Sequence, residues 1–257
     1  MDKNSRPLGF FDSGVGGISV MKEALKIMPN ENYIYFGDSK NAPYGTKTIK
    51  EVRDLTFKAV EYLLSREVKG IAIACNTATS AAVAELRLIY PELPLVGIEP
   101  AIKPSIELDL KGDRLVMATP RTLAEKKFEN LVIKYKDKSK IIPVPCAGLM
   151  EFIEEGVLEG EELNKYLHER LNQFDLENVA AIVLGCTHYP FIKNELEKVI
   201  GKRIHILDGG YGTAKELKRR LEEKNLLNTN TQKGTIQIIN SLEEQRLIDL
   251  SYKLLET

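Results

Sequence analysis

Short apolar runs alternate with longer stretches of helical period along most of the chain. Residues 8–11 read as a strand, and residues 18–25 space their apolar side chains as one helix face does, stopping near Pro29 and Asn30. Residues 33–36 form a second β-rich run, followed by a long amphipathic pattern over 49–66. An apolar run at 71–74, a helix over 79–90 and a further strand at 95–98, reached past Pro91 and Pro94, complete the series. The pattern then restarts. Strands are expected at 114–118, 140–144, 181–184 and 204–207, with helices over 123–135, 151–155, 161–174 and 191–200 between them.

Strands alternating with helices imply a largely parallel sheet covered on both faces. Position adds a second regularity. Asp12 and Cys75 are separated by nearly the same interval as Thr119 and Cys186, and Asp12 to Asp38 nearly matches Thr119 to Cys146. The repeat is one of layout, since few residues are shared. It predicts an α/β protein of two pseudo-symmetric, doubly wound parallel-sheet domains of flavodoxin-like type, with the active site in the cleft between them. Residues 99–209 would be the second domain. The first would be residues 1–98 completed by 210–257, because the tail (a basic helix over 213–224, a strand at 235–239, a helix over 242–255) is too small to stand alone. The glycines between Asp208 and Gly212 could be a hinge.

Composition narrows the class. The 257 residues are 43% hydrophobic and 28% charged, and 36 basic side chains nearly balance 37 acidic ones. No overall field favours nucleic acid or an anionic membrane, and the basic helix at 215–220 reads as a solvated face. Residues 1–7 lack the apolar core of a signal peptide, and no stretch is long enough to cross a bilayer, so a cytoplasmic location is expected. Three cysteines are too few for a disulfide framework.

Two of those cysteines stand in matching contexts. Cys75 follows an apolar run and precedes Asn76 and Thr77. Cys186 follows another and precedes Thr187 and His188. Amide and hydroxyl side chains with helix amino-terminal amides suit a carboxylate, and the same amides lower a thiol pKa from about 8.5 toward neutrality. A lone cysteine would read as core filler, but a matched pair reads as chemistry. Zinc held by Cys75, Cys186 and His188 is an alternative, although common zinc spacings are absent. The turn Asp12-Ser13-Gly14-Val15-Gly16-Gly17 has no P-loop lysine, and Asp12 would repel a phosphate, so its glycines are read as admitting a small ligand close to the backbone.

Phe11-Asp12-Ser13-Gly14-Val15-Gly16-Gly17, Gly37-Asp38, Pro43-Tyr44-Gly45, Ala74-Cys75-Asn76-Thr77-Ala78 and Gly185-Cys186-Thr187-His188-Tyr189-Pro190 together resemble the glutamate racemases of the cofactor-independent aspartate/glutamate racemase superfamily. The resemblance spans about residues 8–210. It implies interconversion of L- and D-glutamate, supplying D-glutamate for peptidoglycan, with no cofactor and no metal, by a homodimer acting on a small molecule. It also implies that Cys75 and Cys186 are the acid/base pair, assisted by Asp12 and His188. Asp12, Ser13, Tyr44, Gly45, Asn76, Thr77, Thr187 and His188 would bind substrate. Asp38 and Glu154 are weaker candidates, and Thr119 and Thr122 match a turn that approaches the substrate carboxylates. Two departures stand out: residues 146–154 differ from the common pattern, and Arg121 replaces a small residue in the threonine turn. Racemisation of aspartate or another amino acid, or binding of an acidic ligand without chemistry, are the alternative functions.

Overall fold

The computed structural model describes residues 3–257; Met1 and Asp2, part of the polar amino-terminal stretch read above, lie outside the described residues. The chain divides into two compact units. One comprises the chain up to Glu99 together with Gly210–Thr257, and the other is Pro100–Gly209.

The first unit runs β1 (Leu8–Asp12), α1 (Ile18–Ile27), β2 (Tyr33–Gly37), α2 (Ile49–Ser65), β3 (Gly70–Ile73), α3 (Asn76–Ile89) and β4 (Leu95–Gly97). The second runs α4 (Ile102–Glu107), β5 (Asp113–Ala118), α5 (Pro120–Leu123), α6 (Lys126–Tyr135), β6 (Ile141–Pro145), α7 (Leu149–Glu154), α8 (Glu161–Leu171), β7 (Val179–Leu184), α9 (Lys193–Ile200) and β8 (His205–Asp208). The chain then returns to the first unit as α10 (Gly210–Glu223), β9 (Ile236–Asn240) and α11 (Gln245–Glu256).

All strand pairings are parallel. The strand orders are β4-β3-β1-β2-β9 and β6-β5-β7-β8. Reading the second sheet backwards, β8-β7-β5-β6 repeats β4-β3-β1-β2, so the two units share one topology and β9 extends only the first. In this order β1 and β3, like β5 and β7, flank the point where the strand order reverses. That is where doubly wound sheets hold ligands, at the carboxyl ends of the strands.

The inner strands β1, β3, β5 and β7 are buried along nearly their whole length, which is why they read as apolar runs rather than alternating patterns. In the first unit α2 and α3 pack on one face and α1 and α10 on the other, with α11 against α1 and β9. In the second, Leu115, Met117, Ile182 and Leu184 point into the core built with α7, α8 and α9. Their neighbours Val116 and Val183 point the opposite way, toward Ile102, Phe128 and Tyr135. A period of two on a two-sided sheet requires this division.

Several elements depart from the expected bounds. The helix after Cys75 begins at Asn76 rather than Thr79, because the Cys75 thiol caps it. The pattern over 123–135 is two helices, since Ala124 and Glu125 separate α5 from α6. The helix at 102–107 was not foreseen: it is short and interrupted by Pro104. The glycines after Asp208 open α10, which starts at Gly210.

Candidate active site

In the first unit the chemistry gathers at the carboxyl ends of β1, β2 and β3. Asp12 ends β1 fully buried, and its Oδ1 accepts the Gly14 N–H at 2.9 Å, folding the carboxylate over its own turn. Gly17 allows α1 to start tightly against that strand end. A Cβ there would lie 2.7 Å from Asp12 Cβ and 2.9 Å from Ala74 Cβ. The Gly14 carbonyl accepts the Tyr35 hydroxyl at 2.7 Å. At Gly17, then, the room serves the protein's own packing.

Cys75 caps α3. Its Sγ accepts the Ala78 N–H at 3.5 Å and lies 3.6 Å from Ser13 Oγ. Helix amino-terminal amides favour the thiolate. Thr77 is buried in the first turn of the same helix, and the Asn76 Oδ1 beside it is shielded from solvent without a hydrogen-bond donor. Tyr44 opens a single turn of 3-10 helix, Tyr44–Thr46, which also carries Gly45. The Tyr44 side chain is buried, and its hydroxyl donates to Asp38 Oδ2 at 2.7 Å, with Asn41 Nδ2 donating to the same carboxylate at 3.0 Å. Burial first, then the bond to Asp38 and the nearby Cys75 and Asp12, hold the Tyr44 phenol well above its ordinary pKa. Tyr44 is therefore a fixed donor to Asp38, and what it can offer a ligand is its ring and backbone.

In the second unit the matching strand ends carry a different set. Gly185 follows β7 where a Cβ would come within 2.9 Å of Ala118 Cβ, and Cys186 comes next, half-buried. No α-helix is capped by Cys186, since the chain makes a turn and a short 3-10 segment, Tyr189–Ile192, before α9. The helix-terminus support expected for both thiols thus exists only at Cys75. Cys186 instead has His188, with Sγ 3.7 Å from Nδ1, while Nε2 of the same ring meets Glu154 Oε1 at 2.7 Å. The imidazole is fully buried. Burial alone would lower its pKa, but the hydrogen bonds to Cys186 and Glu154 and the negative charge of both outweigh it and raise the pKa well above the usual histidine value. Thr187 is buried beside it.

Glu154 was hard to pick out in the sequence, with Glu151, Glu155 and Glu159 close by. The structure separates it from them because α7 ends there, against His188. The third cysteine takes no part. Cys146 is buried in the α7–α9 core, its thiol donates to the Val144 carbonyl at 3.3 Å, and burial pushes its pKa up to about 12. At the end of β5, Thr119 caps α5, with its Oγ1 accepting the Thr122 N–H at 3.2 Å and 3.0 Å from Thr122 Oγ1. Among the described residues, no group of three or more His, Cys, Asp or Glu side chains is assembled that could hold a metal ion, and no helix is long and apolar enough to cross a membrane.

The two parallel α/β units share one topology, and each presents a cysteine after the equivalent strand (β3 and β7). The family model for Asp/Glu/hydantoin racemases matches residues 15–216, and the chain belongs to that family. It is 60% identical over 257 residues to the glutamate racemase of Clostridium botulinum (strain Alaska E43 / Type E3), covering 100% of both chains. A crystal structure of glutamate racemase from Francisella tularensis in complex with D-glutamate aligns with a TM-score of 0.83 and 31% identity, covering 99% of this chain and 95% of that one. The Escherichia coli glutamate racemase in complex with L-glutamate and the activator UDP-MurNAc-ala aligns with a TM-score of 0.82 and 26% identity, covering 97% of this chain and 95% of that one.

Proposed function

We propose that this enzyme interconverts L- and D-glutamate, with Cys75 and Cys186 as the paired acid and base and no organic cofactor, and that its product is D-glutamate for peptidoglycan. The observation that carries the reading is the placement of two thiols after equivalent strands of two like-folded units, in a chain whose full-length relatives are glutamate racemases.

The chemistry asks for two groups. Removing the α-proton from one face and returning a proton to the other needs a base and an acid, which exchange roles with the direction of reaction. A thiolate abstracts the proton, and the opposite thiol protonates the carbanion. At Cys75 the amide of Ala78 and the Ser13 hydroxyl favour the thiolate. At Cys186 the Nδ1 of His188, whose ring is held by Glu154, lies near enough to pass a proton to or from the sulfur. The α-proton is weakly acidic, so charge developing on the α-carboxylate must meet fixed donors; Thr77, Thr187 and backbone amides at the two strand ends are suited to this. The lone Asn76 Oδ1 is an acceptor for the substrate ammonium. Asp12 and Asp38 serve by holding the glycine turn and Tyr44 in place.

Incubation with each glutamate enantiomer in heavy water tests the proposal. Exchange of the α-proton from both enantiomers is expected, and Cys75→Ser and Cys186→Ser should each reduce racemisation to near background. Absence of exchange with either enantiomer, or wild-type turnover in either variant, overturns it.

A further inference from the structure

Tyr189 lies in the motif that carries Cys186, yet the mechanism gives it no part. It opens the 3-10 segment that follows His188, and its side chain is fully buried. Its hydroxyl donates to the Cys146 carbonyl at 3.1 Å. That carbonyl stands at the entry to α7, where it also accepts the Leu149 N–H at 3.5 Å across the left-handed Gly148. The far end of α7 is Glu154, whose Oε1 meets His188 Nε2 at 2.7 Å. Two successive residues of one turn, His188 and Tyr189, therefore hold a single short helix by its two ends. All of these residues belong to the second unit.

Leu149 and Ile153, both fully buried, press α7 onto the core. Such contact is non-directional and does not by itself set where the helix sits along its axis. A hydrogen bond fixes both a distance and an angle. With six residues, α7 moves as one short rod, so a shift at its entry is passed to Glu154. The contact with His188 would leave hydrogen-bond range after a shift of about 0.5–1 Å. The next carbonyl, that of Ala147, accepts the Tyr166 hydroxyl of α8 at 2.8 Å. Tyr189 differs from Tyr166 in standing on the same turn as His188, so it ties both ends of α7 to one reference. Burial first, then the neighbouring Cys186 and Cys146, hold the Tyr189 phenol well above its ordinary pKa, so it stays a donor.

We propose that Tyr189 is a positioning residue for the Cys186 half of the reaction: its hydroxyl sets the place of α7, and through α7 the hold of Glu154 on His188. The inference rests on the racemase reading above. In this role Tyr189 transfers no proton.

Tyr189→Phe removes the hydroxyl and keeps the buried ring. An NMR titration of the His188 ring, which needs no turnover, should show its pKa lowered toward the ordinary histidine value, because Glu154 and Cys186 are the two groups that raise it. In steady-state racemisation kcat should fall about twofold to tenfold, the worth of one net hydrogen bond, with KM for glutamate little changed. In a Glu154→Gln background, where the charged contact is already gone, adding Tyr189→Phe should move neither the titration nor kcat further. Tyr166→Phe, which frees the next carbonyl and leaves the tie to the His188 turn, should shift the titration less. An unchanged His188 titration in Tyr189→Phe, even with a lower melting temperature, overturns the assignment and leaves Tyr189 a packing residue. An equal shift in Tyr166→Phe, or additive effects in the double variant, overturns it too. Failure of the wild type to exchange the α-proton of either enantiomer would refute the racemase reading instead, and the titrations would still decide whether Tyr189 acts on His188.

Discussion

Replacing Glu154 by glutamine isolates the charge in its contact with His188. The two side chains meet at 2.7 Å, with the imidazole side chain 2% exposed and the carboxylate 22% exposed. At an effective dielectric of about 20, two unit charges at this separation attract by about 6 kcal/mol. Desolvation offsets much of that, and a hydrogen bond to a charged group contributes a net ~1.5–3 kcal/mol. Glutamine keeps an acceptor oxygen and loses the charge, so the His188 pKa should fall toward its ordinary value. The native His188 pKa is raised. Its contribution to stability is therefore fully present below the unfolded histidine value of about 6.5, and it is lost as pH rises through the folded value. The variant should accordingly be less stable than wild type at pH 6 by about 1.5–3 kcal/mol, a gap that closes at alkaline pH. Urea unfolding at several pH values measures the gap, and an NMR titration of the His188 ring measures the pKa directly. In turnover, the alkaline limb of the exchange profile should move to lower pH, because the imidazolium beside Cys186 is lost sooner. An unchanged His188 titration together with an unchanged profile would refute the reasoning that Glu154 acts on Cys186 through the ring.

The remaining predictions concern the third cysteine, Cys146, and the glycine turn. Cys146, with its pKa pushed up to about 12, should stay unmodified when the native enzyme is treated with iodoacetamide at pH 8, as peptide mass spectrometry would read; labelling at Cys146 before unfolding would contradict the burial. Gly17→Ala should cost about 1–3 kcal/mol, since the new methyl meets Asp12 Cβ at 2.7 Å and Ala74 Cβ at 2.9 Å. A thermal melt unchanged from wild type would show that α1 can shift away.

Much of the architecture could be read from the sequence because its signals are local. Apolar runs of strand length, helical spacing between them and prolines at the breaks located nine strands and most of the long helices. The capping box at Thr48 and Glu51, which starts α2, is a local signal of the same kind. The missed pieces lacked such a signal. Residues 102–107 are too short for a helical period, and no helix breaker stands at Ala124 and Glu125, where α5 gives way to α6. The motifs around Cys75 and Cys186 were legible for the same reason as the strands: a thiol after an apolar run needs only its neighbours to be recognised.

Partnership over distance was not legible. Nothing in residues 149–159 singles out Glu154 from the surrounding glutamates; it is chosen by where α7 ends relative to the turn after β7. Nor does the spacing show that Tyr44 spends its hydroxyl on Asp38, or that Cys75 caps a helix while Cys186 leans on a histidine. The two motifs look alike as strings because each strand delivers its cysteine in the same way. They differ in three dimensions because the α-helix follows at once in one unit, and only after a turn and a 3-10 segment in the other. By itself, the sequence determined the element order, the internal repeat and the two matching cysteine motifs, since these depend on residues adjacent in the chain. The tertiary structure alone decided which amide, hydroxyl or carboxylate stands beside each thiol, because hydrogen bonds and charge act through space at a few ångströms.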